Sequence, residues 1–431
     1  MSHSDARPLA EPGEMTRMAA LVVATAFIFN FIMRGFADAF MVFVLPLETE
    51  FGWTRSDITT AYSIYLIVTG LMSPLAGMAL DRFGPRATYG AGVLFLVAAM
   101  RAAASAEALW HVYLSIGVLC GLSASLLGMV PAAALIGRWC DRNMSIAVAI
   151  AYSGMGLGIL AMAPVAQIMI DAWGWRAAWR ALSVGALFAL PLLVLLPWRR
   201  IGAGRTGVTP RARGVMQAAP ASGFSVRAAL RTREFWLLAQ VFFFTACAVY
   251  SITIQAVPYL IENGYAPLDA AFAYGSTGLL SICGMLTAGA LAARIGFRVT
   301  ATISFTGTLI GTLALFSFPL WPGVLPVALW ALAFGSCQGA RGPIVSTLTA
   351  RIFAGGSVGA IFGGVYMTMS FGSAAGAWIS GALHDVTGGY QAAFIFSIIC
   401  VAFAAAPFWA SRRLASPTQL GASAAARGDP A

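Results

Sequence analysis

Arg34 and Asp38 stand four residues apart inside the apolar stretch 27–53. A charge at the centre of a bilayer costs about 2.5–3.5 kcal/mol, so a membrane-length run that keeps two of them is unusual. The spacing of four puts both on one helical face, where a guanidinium and a carboxylate offset part of that cost. Such a face either lines a path for an anion, a proton or both, or pins the helix to its neighbours as a structural ion pair. Asp38 is the one carboxylate expected within a span, which makes it the candidate for proton coupling. Arg341 is the other arginine on an apolar run, flanked by Gly339, Gly342 and Pro343, which loosen a helix locally. It faces a cavity or snorkels to the nearer interface. Tyr62, Tyr65, Tyr152, Tyr250, Gln255, Gln338 and Tyr366 are candidate polar linings, each also explicable as packing.

The elements that must position these residues follow from composition. Of 431 residues, 59% are hydrophobic and 10% charged, which excludes an ordinary soluble enzyme. Apolar runs of membrane length recur at 18–46, 57–79, 86–104, 109–136, 145–170, 177–197, 235–260, 269–292, 299–318, 323–349, 357–382 and 390–410. The expected architecture is therefore an all-α membrane protein of twelve helices. Residues 1–17 read as a polar tail with no cleavable signal peptide, and 411–431 as a second tail. The segment 198–234, rich in Gly, Ala, Pro and Arg, reads as a linker between six-helix units at 18–197 and 235–410.

All 26 basic residues are arginine, so lysine Schiff bases and phosphate-loop lysines are excluded and ATP is not the expected energy source. His3, His111 and His384 are too scattered for a triad or a metal site, and the six cysteines form no CxxC pair. No cofactor, metal or enzymatic site is expected. With the N-terminus cytoplasmic, 20 arginines fall on cytoplasmic segments and four (Arg55, Arg101, Arg176, Arg180) on outer loops. Both termini then lie inside, and the basic charge belongs to topology in a bilayer rather than to nucleic acid.

The two halves repeat. GMALDRFGPR at 77–86 matches GALAARIGFR at 289–298, an offset of 212 that Pro131 and Pro343 share. GWRAAW at 174–179 answers GYQAAF at 389–394, and the glycine runs at 154–158 and 363–376 occupy corresponding places. A duplicated six-helix unit predicts two bundles related by an axis along the membrane normal.

Gly77, Asp81, Arg82, Gly84 and Arg86 form the pattern G-x-x-x-D-R-x-G-x-R, which resembles the cytoplasmic signature loop of the major facilitator superfamily. The resemblance implies a gating role for these five residues, with Arg138, Arg142 and Arg294 as further gating candidates, and places Asp81 to meet an arginine or helix end of the other bundle. Ala293 stands where the second copy would carry the acid. PLETEFGWTRSD at 46–57, RWCDRNMSIAVAIAYSGMGLG at 138–158 and VPYLIENGY at 257–265 are similar to segments of bacterial monocarboxylate and oxalate–formate type carriers. The acidic-glycine motif of animal members is absent, and so are the arginine and acid many relatives carry on the eighth helix.

Because the first and tenth helices line the central cavity in that fold, the resemblance implies that Arg34 and Arg341 grip one anion jointly, by charge-assisted and bidentate bonds. The expectation is a monomeric carrier of the bacterial inner membrane that moves a small mono- or dicarboxylate by alternating access, with protons or by exchange. An exporter of amphipathic compounds and a transport-dead sensor are the alternatives.

Overall fold

The computed structural model describes residues 12–140, 144–204, 226–353 and 358–415, and every regular element among them is helical. Arg142, most of the expected linker and both chain ends lie outside the described residues. Nine helical runs among those described are long and apolar enough to cross a membrane. One of them, Arg55–Ala104, is two segments, because Gly84 interrupts it at φ 80° and ψ 168°, a conformation open to glycine. Together with the runs at 324–352 and 358–387, the described helices are consistent with the twelve expected segments. The large apolar side chains left exposed, such as Phe188, Leu195, Leu320 and Trp321, suit a lipid surround.

Local chemistry explains the main boundaries. The Pro12–Asp38 helix breaks at Ala39 and resumes as Phe40–Phe51, running past Pro46 to Gly52. The first span was expected to stop at 46; Pro46 forfeits one backbone bond, and the chain stays helical until Gly52 turns left-handed at φ 65°. Thr54 then caps the next helix in a capping box with Asp57.

The internal repeat is visible in backbone geometry. Gly296 (φ 86°, ψ 158°) sits 212 residues after Gly84 in nearly the same conformation. The fourth segment of each half carries a π-helical turn, Tyr113–Leu119 in one and Ala331–Gly335 in the other. In each a break follows, at Gly128 and at Ala340, and then a helix holding Pro131 or Pro343.

Glycine lets the helices close on one another. A Cβ on Gly154 would fall 2.3 Å from the Phe27 carbonyl oxygen, and one on Gly158 2.4 Å from that of Phe31. The Met144–Trp173 and Pro12–Asp38 helices therefore pack backbone to backbone. Gly372 and Gly376 do the same against the Phe243 and Cys247 carbonyls, at 2.2 and 2.5 Å. Two further seams join the halves: Gly156 against Gly278, and the Arg55–Ala104 run against Val358–Thr387, where Gly70 meets Ser370 and Ser63 donates to the Ala374 carbonyl at 2.9 Å. The larger buried apolar cluster crosses from Phe40 and Tyr62 to Tyr250 and Tyr274, so the core continues through the seam.

Candidate functional site

Arg34 and Asp38 occupy the last two turns of the Pro12–Asp38 helix, with Arg34 Nε 2.7 Å from Asp38 Oδ2. This order is poor for the helix itself. At this spacing a cation N-terminal to its acid is the weaker arrangement. What holds the pair is tertiary. Tyr62 donates to Asp38 Oδ1 at 2.8 Å and Tyr274 to Oδ2 at 3.4 Å, while Arg34 Nη2 donates to the Tyr250 hydroxyl at 2.9 Å. Tyr62 comes from the first half, and Tyr250 and Tyr274 from the second, so one ion pair is bonded to both.

The two charges differ in access. Asp38 is 1% exposed and Arg34 22%, because the guanidinium forms part of the wall of a cavity of about 50 Å³. Ile159 of the Met144–Trp173 helix completes that wall on the first half, and Tyr250, Thr253, Thr277 and Gln338 face it from the second. Hydroxyls, an amide and one ion pair in an otherwise apolar enclosure can orient a small polar or charged solute.

The cavity gathers Arg34, Asp38, Tyr250 and Gln338, with Tyr62 directly behind Asp38. Tyr65 stacks obliquely on Tyr62 at 5.0 Å and turns its hydroxyl to Met33. The other expected linings sit elsewhere. Tyr152 donates to the Met129 carbonyl at 3.0 Å, and Tyr366 reaches the Met129 sulfur at 3.5 Å, so both meet at Met129 and not at Arg34. Gln255 is wholly buried and bonds Arg55 and Ser380.

Arg341 requires a correction of placement. It is 3% exposed and turned into the Phe297–Phe316 helix. There Nε donates to the Ser304 hydroxyl at 3.1 Å, Nη2 bonds the Ser304 carbonyl and Thr308, and the guanidinium lies 4.7 Å over the Phe305 ring. It neither snorkels to an interface nor lines the cavity with Arg34. Hydroxyl, carbonyl and ring contacts serve Nε, Nη2 and the guanidinium face, while Nη1 is buried without a hydrogen-bond partner among the described residues.

Among the gating candidates, Asp81 pairs with Arg138 at 2.8 Å, a partner in its own half and not in the other. Arg138 also donates to the Gly202 carbonyl at 3.0 Å. Arg82 lies over the Phe83 ring, Arg86 and Arg294 are exposed, and a Cβ on Gly77 would touch Val130 of the same half at 3.6 Å. Spacing gave no sign of Tyr274, a lone tyrosine in an apolar run. The acceptor capacity of Asp38 is the signal that would have found it, since one arginine cannot fill both carboxylate oxygens of a buried acid.

A model of the Major Facilitator Superfamily matches residues 23–335. Among curated relatives, monocarboxylate transporter 13 of Bos taurus is 26% identical over 375 residues, covering 87% of this chain and 85% of its own. Monocarboxylate transporter 12 of Homo sapiens is 26% identical over 415 residues, 89% and 80% of the two chains. YcxA of Bacillus subtilis (strain 168), an uncharacterised MFS-type transporter, is 26% identical over 404 residues, 90% and 93%.

Proposed function

The chain belongs to the Major Facilitator Superfamily, and from that premise we propose that it carries a small organic anion, a mono- or dicarboxylate, across a bacterial inner membrane by alternating access. Similarity along most of the chain to proteins named monocarboxylate transporters supports the cargo class. The observation that carries the proposal is the partial exposure of Arg34 on a cavity wall shared by both halves. A guanidinium held by Asp38 and Tyr250 offers a charge-assisted fork to a carboxylate arriving from that space.

The same geometry supports proton coupling. While Asp38 is ionised it competes with any anion for Arg34, and the two cavity charges cancel. A proton on Asp38 removes the competitor and leaves Arg34 for the cargo, with Tyr62 and Tyr274 holding the carboxyl in place. Proton and anion then enter together, and net charge in the cavity stays constant. Exchange of one anion for another needs no such step.

The test is binding of a carboxylate and of its neutral amide, read as thermal protection of the purified protein. The double variant Arg34→Gln/Asp38→Asn removes both charges and strands neither. Wild type should prefer the carboxylate, and the double variant should lose that preference at a cost on the order of 1.5–3 kcal/mol. Equal binding of acid and amide by wild type would return the pair to a structural role.

A further inference from the structure

At the end of the molecule opposite Asp81, one arginine is buried to 1% exposure between the two halves. Arg55 begins the Arg55–Ala104 run, and its Nη2 lies 2.6 Å from Glu48 of its own half and 2.8 Å from Glu262 of the other. Its Nη1 donates to the Tyr390 hydroxyl at 3.1 Å and to Gln255 Oε1 at 3.4 Å, both in the second half. Asp385 accepts from the backbone N–H groups of Arg55 and Ser56, at 2.9 and 2.8 Å, so a carboxylate of the second half caps a helix of the first. His384 stands beside Asp385 at 3.9 Å and against the Tyr390 ring. A buried charge is tolerated only when paired and hydrogen-bonded, and most of what satisfies this one comes from across the seam.

The seam closes at this end and loosens toward the other. Gly381 lies against Ser56 and Thr59, and Gly70 against Ser370. Farther along the same two helices Met78 is 59% exposed, and a Cβ on Gly363 would meet nothing within 4 Å. At that loosened end, Asp81 holds an arginine of its own half.

We infer that Arg55 is the closing residue of a gate between the halves, on the side that arginine placement makes the outer one. It is a positioning residue: it touches no cargo and sets which side the cavity opens to. The inference leans on the alternating-access reading for the word gate, but neither on the cargo nor on Asp38. Two carboxylates, Glu48 and Glu262, meet the one guanidinium, while Asp385 caps the helix that Arg55 begins, so the acids are in excess and their roles separate. Glu262 links the halves, whereas Glu48 is a partner within one half.

The experiment uses the full chain in right-side-out vesicles, with Thr253→Cys placing a thiol on the cavity wall. A membrane-impermeant charged maleimide is added outside, and modification at position 253 is followed by peptide mass spectrometry. Glu262→Gln should raise the labelling rate at least about fivefold, the low end of ordinary coupling between sites. Glu48→Gln should leave it within about twofold, because the cross-half contacts survive. Both acids are partly exposed, and neither change leaves Arg55 unpaired, so both variants should reach the membrane. An unchanged rate in Glu262→Gln, or equal increases in both variants, would overturn the gate and make Arg55 a static staple. Labelling needs no cargo, so this result is read apart from the carboxylate–amide comparison.

Discussion

At the scale of residues, two arginines in apolar runs met different fates. Arg34 was legible because its partner lies four residues away on an uninterrupted helix, where spacing fixes the shared face. Arg341 was legible as buried but not as to direction. A π-helical turn at Ala331–Gly335 and a break at Ala340 lie just upstream, and each shifts the helical phase that spacing relies on. Gln338, before the break, reaches the cavity; Arg341, after it, reaches Ser304 and Thr308. Arg341→Gln should therefore keep the preference for carboxylate over amide and change mainly the thermal midpoint. Loss of that preference at normal abundance would put Arg341 back at the anion. Asp38→Asn separates the two proposed modes of transport. Uptake driven by a pH gradient should vanish while exchange of internal for external anion continues, and intact pH-driven accumulation would show that Asp38 carries no proton.

At the scale of elements, segment existence was legible from apolar runs, and the Gly84 bend from its loop motif. Helix contacts were legible only as composition: glycine runs promise close packing without saying against what. The structure supplies the partner, and with it a sharp contrast. Gly376→Ala places a methyl 2.5 Å from the Cys247 carbonyl oxygen, whereas Gly363→Ala on the same helix places one in open space. Gly376→Ala should cost about 1–3 kcal/mol, the usual range for overpacking, seen as a lower unfolding midpoint. Gly363→Ala should be neutral or slightly stabilising. Equal midpoints for the two would mean that the Arg233–Glu262 and Val358–Thr387 helices are less tightly apposed than described.

At the scale of the whole molecule, the offset of 212 announced the duplication, because a repeat is written locally in each copy. The contacts between copies were not legible. Arg55 meets residues 200 to 335 positions away, and nothing in the sequence around it names them. Asp81 illustrates the same limit, since the signature loop predicted a partner in the other half and the structure gives Arg138. Asp81 is 59% exposed, so Asp81→Asn should change stability by less than about 1 kcal/mol. If Asp81 also serves a state closed at its own end, uptake should nonetheless fall while cargo still protects the protein from heat. Wild-type uptake rates in the variant would remove any gating role.

The cavity beside Arg34 has one more consequence. Its volume of about 50 Å³ is far below the roughly 300 Å³ at which ordinary small-molecule sites begin, and suffices for a few waters. An organic anion of the proposed class would have to wait for a wider form of the protein, and its apparent dissociation constant would be inflated by the rarity of that form. A cargo of unimpressive affinity would then be no argument against the site. The contacts themselves would be stronger than the titration suggests, the difference having been absorbed in making room.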